Sequence, residues 1–247
     1  YVYLTAPIVK VFGMNEISVR LWSGILGVVA VIGSYLLAKE LLTVSKLRRK
    51  ILENYIKSVS LLTMFLMAIS LWHVHFSRIG FEANGLLTCM IIGFWLFLRG
   101  LHHKKSLVLS AIVLAIGMYF YRGVIGFLPF VGIAAVFLFY KQLARRDYLK
   151  TTIIAGFVFV ILATPITIEL FSSRGLERTE EVSIFNLKNS EHVEGIVKKQ
   201  SESKSPLSSI IYNRRIGYGL DFLTGYASHL GPQYLFFQGD INPRHNG

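Results

Sequence analysis

The sequence predicts an all-α integral membrane protein: a polytopic helical bundle of about six transmembrane helices with an extracytoplasmic C-terminal segment. Three observations predict this fold class. Of the 247 residues, 53% are hydrophobic and 16% are charged, which leaves too few polar side chains to cover a soluble domain of this size. The apolar residues gather into stretches long enough to span a bilayer. The basic residues alternate between connections that are rich and poor in Lys and Arg.

Each apolar stretch has the length that crosses a hydrocarbon core of about 30 Å at about 1.5 Å per residue. The predicted spans are 21–42, 57–73, 84–100, 106–121, 124–140 and 151–172. A buried helix of a large soluble protein is the alternative for each stretch, but a succession of them would need a polar shell that the chain lacks. We therefore expect a multi-span membrane domain over residues 1–172. Residues 1–20 are too polar to span and predict an interfacial helix at its start.

The composition changes after residue 172. Residues 173–206 are charged and Ser-rich, which predicts a mobile loop or a small exposed lobe. Residues 207–239 regain aromatic side chains and predict a packed outer segment. The chain begins with Tyr1 rather than Met and stops in a polar segment. We therefore expect a fragment of a longer protein, with residues 173–247 as a truncated extracytoplasmic tail.

The formal net charge of +12 belongs mainly to the membrane domain. Thirteen Lys and Arg flank the first, third and fifth connections, whereas the N-terminal segment and the alternate connections hold four. By the positive-inside rule, the odd-numbered connections face the cytoplasm, and the loops near 74–83 and 122–123 and the tail face outward. The basic balance thus reflects orientation, and no nucleic acid is expected as a partner. The chain has no Asn-x-Ser/Thr sequon, which favours a prokaryotic cell membrane.

The predicted outer loop after the second span, SLWHVHFSRIGFEANG, concentrates polar residues that are costly near a membrane. His73, His75, Arg78, Glu82 and Asn84 lie within twelve residues. The two histidines and Glu82 either ligate a divalent metal or face water at the interface. Arg78 and Glu82, four residues apart, either pair on one helix or bind an anion or a metal. Cys89, the single cysteine, lies inside a predicted span, which excludes a thiolate metal site.

Two further places carry candidate polar residues. Arg122 lies at the tip of the tight hairpin between the fourth and fifth spans, where it either binds a phosphate or snorkels to the interface. The tail ends FFQGDINPRHNG, in which Asp240, Arg244 and His245 follow a Gly turn and either bind substrate or are simply solvated.

Three segments resemble polytopic GT-C glycosyltransferases of the protein-mannosyltransferase and aminoarabinose-transferase type. YLTAPIVKVFGMNEISVRLWSGILGVVAVIGSYLLAKEL is similar to their interfacial segment, "FG.NE...RL" turn and following span. HVHFSRIGFEAN is similar to their second outer loop, and YASHLGPQYLFFQGDINPRHNG to an outer segment that ends in a "GD...RH" turn. The resemblance leaves residues 173–206 uncovered.

The resemblance implies transfer of a sugar from a polyprenyl-phosphate carrier to a protein, lipid or glycan acceptor on the outer face of the membrane. Arg78 and Arg122 would neutralise the phosphate of the leaving lipid. The remaining substrate contacts would come from His73, His75, Asn84, Asp240, Arg244 and His245. The main catalytic base would belong to an outer loop ahead of Tyr1, which leaves Glu82 a supporting role. We therefore expect residues 1–247 alone to transfer no measurable sugar.

A transporter or flippase of a lipid-linked substrate is the alternative function. Such a protein would place charged or broken-helix residues at the bilayer midplane. Glu40, Glu82 and Glu169 instead lie at the ends of predicted spans, and the candidate chemistry collects on one outer surface. This distribution favours the enzyme.

Overall fold

The computed structural model describes residues 1–44, 51–121, 123–170, 172, 195, 198 and 214–231, and these residues are almost entirely helical. The described helices are α1 (Val2–Phe12), α2 (Glu16–Val44), α3 (Ile51–Ile69), α4 (Leu71–Arg78), α5 (Glu82–Gly100), α6 (Lys105–Phe120), α7 (Val124–Leu143), α8 (Arg146–Leu170) and α9 (Arg214–Leu230). No strand occurs within these ranges. The predicted fold class, an all-α polytopic membrane protein, is confirmed.

Every predicted span coincides with a helix or a pair of helices, but they differ in length. Among the described helices, α2, α5, α7 and α8 are each long and apolar enough to cross a membrane. The pair α3 and α4 passes the same test together, although the two helices are bent by 54°. Helix α6 is apolar but has only 16 residues.

The loop predicted at 74–83 is mostly helical, so that part of the prediction was wrong. Ser70 has an extended backbone (φ −61°, ψ 118°) that separates α3 from α4, and α4 continues to Arg78. The chain turns only at residues 79–81, where Gly80 has φ 72°, a left-handed conformation that disfavours side chains with a Cβ. The sequence between Ser70 and Arg78 contains no Gly or Pro, so nothing interrupts the helix there.

Helix α2 is the centre of the bundle and packs against α1, α3, α4 and α5, while α5 also packs against α6. The buried face of α2 consists of small residues: Ser18, Ser23, Gly27, Ala30, Gly33 and Ser34. Small side chains let helix backbones approach closely, which is the main source of helix association in a membrane. This face fixes where α4 and α5 lie.

The N-terminal helix α1 is anchored on the start of α2. The Tyr1 hydroxyl donates a hydrogen bond to Val19 O (2.8 Å), and Trp22 Nε1 donates to Leu4 O (2.5 Å). Burial raises the pKa of the Tyr1 hydroxyl, so it keeps the proton that this hydrogen bond needs. Residues 1–20 are divided between α1 and the start of α2 by a turn at Gly13, whose φ is 77°.

The opposite end of the bundle is closed by an apolar cluster. Leu98, Leu101, Leu107, Leu143 and Tyr148 pack together there. Gln142 Nε2 donates a hydrogen bond to Leu101 O (2.7 Å), which ties the end of α7 to the α5–α6 turn. The turns between α5 and α6 and between α7 and α8 therefore lie at the same end.

The chain divides into two compact units, Tyr1–Ile168 and Glu169–Gly247. In the second unit, α9 lies within the segment 207–239 that was predicted to be packed, and the rings of Phe222 and Tyr226 stack with centroids 6.2 Å apart. The predicted lobe at 173–206 lies outside the described residues, apart from Gly195 and Lys198.

Candidate functional site

Polar residues gather where α4 and the start of α5 pack on α2. Asn84 is 2% exposed, and its Nδ2 donates hydrogen bonds to Ser23 O (2.7 Å) and Ser23 Oγ (3.4 Å). Ser23 Oγ in turn donates to Phe76 O (3.0 Å), and Thr88 Oγ1 lies 3.0 Å from Leu26 O. These bonds join three helices: Asn84 holds the start of α5 on α2, and Ser23 holds α4 there.

His73 is bound to α2 in the same way. It is buried, and its Nε2 lies 3.1 Å from Gly27 O. Because a carbonyl oxygen can only accept, Nε2 must carry the proton, and Nδ1 is then an acceptor in the neutral ring. The structure therefore gives His73 a partner within the protein, on the helix that also binds Asn84.

Several buried polar atoms beside these contacts have no hydrogen-bond partner within the described part of the protein. They are His73 Nδ1, His75 Nε2, Ser77 Oγ and Asn84 Oδ1. A buried polar group without a partner costs about 1–3 kcal/mol. All of them lie on α4 or the first turn of α5, so this small region holds hydrogen-bonding capacity that the protein does not use internally.

The two histidines and Glu82 do not form a metal site. Among the described residues, which include all three, no group of three or more His, Cys, Asp and Glu could hold a metal ion. His73 uses Nε2 on the backbone of α2, whereas Glu82 is exposed. The described residues therefore show no grouped metal ligands here, and His73 is buried against α2 and does not face water.

Arg78 and Glu82 lie on different helices. Arg78 is the last residue of α4 and Glu82 the first of α5, and the left-handed Gly80 lies between them. Both side chains are in the described part of the chain, and no ion pair joins them. Of the two alternatives, the ion pair on one helix is not formed, and the Arg78 guanidinium is available to an anion. Glu82 is placed where the dipole of α5 favours a negative charge.

Arg78 lies at the mouth of a groove of about 750 Å³ along α2. Besides Ser77 and Arg78 of α4, its lining comes from α2: Glu16, Ile17, Arg20, Leu21, Gly24, Ile25, Val28 and Val29. Charged residues occupy one end, and the wall is apolar from Leu21 to Val29. At about 1.5 Å per residue, the apolar part extends for about 12 Å along the helix. The groove thus combines a cationic mouth with an apolar trough.

Arg20 and Glu16 also line the groove, although the sequence alone did not single them out as candidates. They form an ion pair one helical turn apart. The signal was present: Arg20, Gly24 and Val28 follow a spacing of four, which places them on one face of a helix. Sequence spacing alone could not show that Arg78 lies across that face.

The other candidate residues, Arg122, Asp240, Arg244 and His245, lie outside the described residues. Their assignment as substrate contacts stays a prediction.

In a comparison with known proteins, residues 1–168 match the family model described as dolichyl-phosphate-mannose-protein mannosyltransferase. The match covers α1 to α7 and nearly all of α8, including the groove and the buried polar contacts around Asn84. No curated protein and no solved structure gives a significant match.

Proposed function

The chain belongs to the dolichyl-phosphate-mannose-protein mannosyltransferase family, and we propose that it moves a sugar from a polyprenyl-phosphate carrier to a protein, lipid or glycan acceptor on the outer face of the membrane. Membership of this family means that the protein is a multi-pass membrane glycosyltransferase.

The groove along α2 is the observation that carries the proposal. A polyprenyl phosphate has a long apolar chain and a phosphate headgroup, so its site needs an apolar trough that ends at cations. The groove has this order, with Arg20 and Arg78 at one end and Leu21 to Val29 along its wall. A guanidinium matches phosphate because two N–H groups can donate in parallel.

The chemistry makes particular use of these cations. The acceptor oxygen attacks C1 of the sugar while the bond from C1 to the phosphate oxygen breaks, and the electron pair of that bond goes to the phosphate. The departing phosphate monoester then carries a charge of about −1.5 to −2 at neutral pH. Arg78 would stabilise this developing charge, with a smaller contribution from Arg20, which is already paired with Glu16. Such stabilisation lowers the barrier most in a site with little water.

The acceptor must also lose a proton to a carboxylate. The resemblance assigns the main base to an outer loop ahead of the interfacial helix, and we assign Glu82 a supporting role. Glu82 is exposed at the start of α5. It comes directly after the turn at residues 79–81, which follows Arg78. It can therefore reach an acceptor that approaches from the aqueous side.

We assign Asn84 and His73 positioning roles, in place of direct substrate contact. Both bind the backbone of α2, the helix that forms the groove wall: His73 fixes α4 against it, and Asn84 fixes the start of α5. Arg78 ends α4, so its guanidinium is held at the mouth of the groove by contacts made elsewhere on the helix.

The outer face is supported by charge. The groove mouth lies at the end of the bundle opposite the α5–α6 and α7–α8 turns, and those turns carry the basic residues that predict the cytoplasmic side. A transporter would be expected to carry charged residues at the bilayer midplane. The described helices that are long enough to span instead carry their acidic residues near their ends.

Replacing Arg78 tests the proposal. Losing a hydrogen-bonded charge costs about 1.5–3 kcal/mol, so Arg78→Ala should weaken both binding of polyprenyl phosphate and sugar transfer by about tenfold to a hundredfold. Arg78→Lys should recover part of the loss, because it restores the charge without the two-pronged geometry. The measurements are binding of polyprenyl phosphate to purified protein and transfer of labelled sugar in membranes. Transfer, for this variant and the others, is measured on a longer chain that also carries the outer loop to which the main base is assigned.

Lys10→Ala is the matched control. Lys10 is an exposed cation in the last turn of α1 and does not line the groove. The Lys10→Ala variant should leave both the binding of polyprenyl phosphate and the transfer of sugar unchanged. Wild-type binding and transfer by Arg78→Ala would contradict the assignment of the groove to the carrier phosphate.

A further inference from the structure

A separate apolar cavity of about 640 Å³ lies among α5, α6, α7 and α8. Its wall includes Phe97, Leu107, Leu128, Val136 and Phe159. Its wall carries three hydroxyls. Two are used within the protein: Ser110 Oγ donates to Gly93 O (2.8 Å), and Thr152 Oγ1 lies 3.1 Å from Tyr148 O. The third belongs to Tyr140, a residue that is 54% exposed. The wall thus offers apolar surface and almost no free polar group. Its size falls within the range of about 300–1,000 Å³ that is typical of ligand pockets.

The cavity contains more room than helix packing requires. A Cβ added at Gly132 or Gly156, both in its wall, would meet no atom within 4 Å. At Gly93, on the packed α5–α6 contact, the same Cβ would lie 2.6 Å from Leu114 Cγ. The glycines of α7 and α8 therefore leave space open to the membrane, whereas the glycine of α5 allows close contact. An empty apolar space forfeits dispersion contacts, so hydrocarbon from the surrounding lipid is its natural content.

The cavity lies near the basic end of the bundle. Its wall includes Leu107 and Leu143, which belong to the apolar cluster that closes that end. At this end, the helix ends and turns carry seven exposed Lys and Arg residues: Arg99, Lys104, Lys105, Lys141, Arg145, Arg146 and Lys150. Asp147 is the only acidic residue between positions 99 and 150. Lys104 Nζ lies 5.3 Å from the centroid of the Tyr148 ring, a cation–π contact that holds one of these charges directly over the cluster.

We propose that this cavity binds an acyl chain of an anionic phospholipid, with the phosphate of the headgroup on the basic helix ends. The lipid would come from the leaflet on the basic side, which the charge pattern predicts to be cytoplasmic. Charge decides the class of lipid, because a surplus of cations attracts an anionic headgroup more strongly than a zwitterionic one. This lipid is a second ligand, distinct from the donor, whose groove lies at the other end of the bundle.

Lipid retention by the purified protein tests the proposal. Delipidated wild-type protein in detergent is given phosphatidylglycerol or phosphatidylcholine, and bound lipid is measured by native mass spectrometry. The wild type should prefer phosphatidylglycerol. Lys141→Gln and Arg145→Gln should each lower that preference, by about fivefold for each charge removed.

Filling the cavity should abolish retention of phosphatidylglycerol by excluding its acyl chain, without any change of charge. Gly156→Phe on α8 and Gly132→Phe on α7 each place a ring in the open space and should lose the bound phosphatidylglycerol, while a melting curve checks that both variants are folded. Gly126→Phe is the control: it makes the same change on α7, also meets no atom within 4 Å at Cβ, and lies outside the cavity wall. It should retain phosphatidylglycerol as the wild type does.

Three results would overturn the proposal. One is equal retention of phosphatidylcholine and phosphatidylglycerol by the wild type. Another is undiminished retention by the folded Gly156→Phe and Gly132→Phe variants. The third is displacement of phosphatidylglycerol by an equal concentration of polyprenyl phosphate, which would assign the cavity to the chain of the donor.

Discussion

Asn84 illustrates at the residue scale what a polar side chain in an apolar segment can mean. Its position in the sequence, close to Arg78 and Glu82, favoured a contact with substrate. The structure shows it buried, with its amide on the backbone of Ser23. A polar group near the membrane must find a partner, but the sequence does not say whether that partner is substrate or another helix. The residues were therefore predictable as a group, while their division into contact and positioning roles was not.

Replacing Asn84 should weaken the fold before it affects chemistry. Asn84→Ala removes the hydrogen bond between α5 and α2, and such bonds contribute about 0.6 to 1.7 kcal/mol in membrane proteins. We expect the free energy of unfolding to fall by that amount in a reversible denaturation experiment. Thr164→Ala is the control, since Thr164 Oγ1 donates only to Val160 O within α8, and it should change stability less. An unchanged stability for Asn84→Ala would argue that its role is contact with substrate.

Glu82→Gln should lower transfer without affecting the amount of folded protein. The change keeps the shape of the side chain but removes its charge, so it tests the supporting role in proton transfer. We expect a loss of about tenfold, less than the hundredfold to ten-thousandfold typical of a main general base. Glu53→Gln, an exposed carboxylate in the first turn of α3, serves as the control. Full transfer by Glu82→Gln would reduce Glu82 to a stabiliser of the start of α5.

At the scale of helices, apolar length was predictable and tertiary contact was not. A helix must satisfy its own backbone in a membrane, so a long apolar stretch is nearly enough to predict one. The division between α3 and α4 falls at Ser70, without a Gly or Pro to signal it. The groove depends on α4 packing on α2, and the hydrogen bond from Ser23 to Phe76 joins residues 53 positions apart. No local pattern specifies a contact of that kind.

Gly27 should be sensitive to the smallest substitution. A Cβ at Gly27 would lie 2.8 Å from Ser77 Cβ, so Gly27→Ala must push α4 away from α2. Overpacking of this kind costs about 1–3 kcal/mol. We expect lower stability together with weaker binding of polyprenyl phosphate, because Arg78 moves with α4. Gly24→Ala, one turn earlier, meets no atom within 4 Å and should leave the free energy of unfolding unchanged or raise it. Because Gly24 lines the groove, it is the control for stability alone. Equal behaviour of the two variants would mean that α4 is not held closely on α2.

At the scale of the whole molecule, the two ends of the bundle carry different chemistry. One end holds the groove mouth with Arg20 and Arg78, and the other holds the basic turns beside the apolar cluster. The fold class was predictable because composition, span length and charge alternation are global properties of the sequence. The orientation of the molecule in the membrane still rests on the charge pattern.

Reporter fusions test that orientation. Fusions at Arg49, Lys105 and Arg146 should report the cytoplasm, and fusions at Gly80 and Ser190 should report the outside, because the basic connections are retained on the cytoplasmic side. An outward signal at Arg146 would reverse the assignment of the two ends.

The most direct test of the central claim is to ask which helix touches the carrier lipid. A photo-crosslinking amino acid is placed at Val28, a groove residue that is 62% exposed, and in a second protein at Phe130, which is 73% exposed on α7 and lines neither the groove nor the cavity. Labelled polyprenyl phosphate should crosslink strongly at Val28, and unlabelled polyprenyl phosphate should compete it away, while Phe130 should give only weak labelling that does not compete. Arg78→Ala should reduce the Val28 crosslink, because the phosphate loses its partner. Equal crosslinking at Val28 and Phe130 that unlabelled polyprenyl phosphate does not reduce would contradict the account, because the lipid would then contact the protein surface without a specific site.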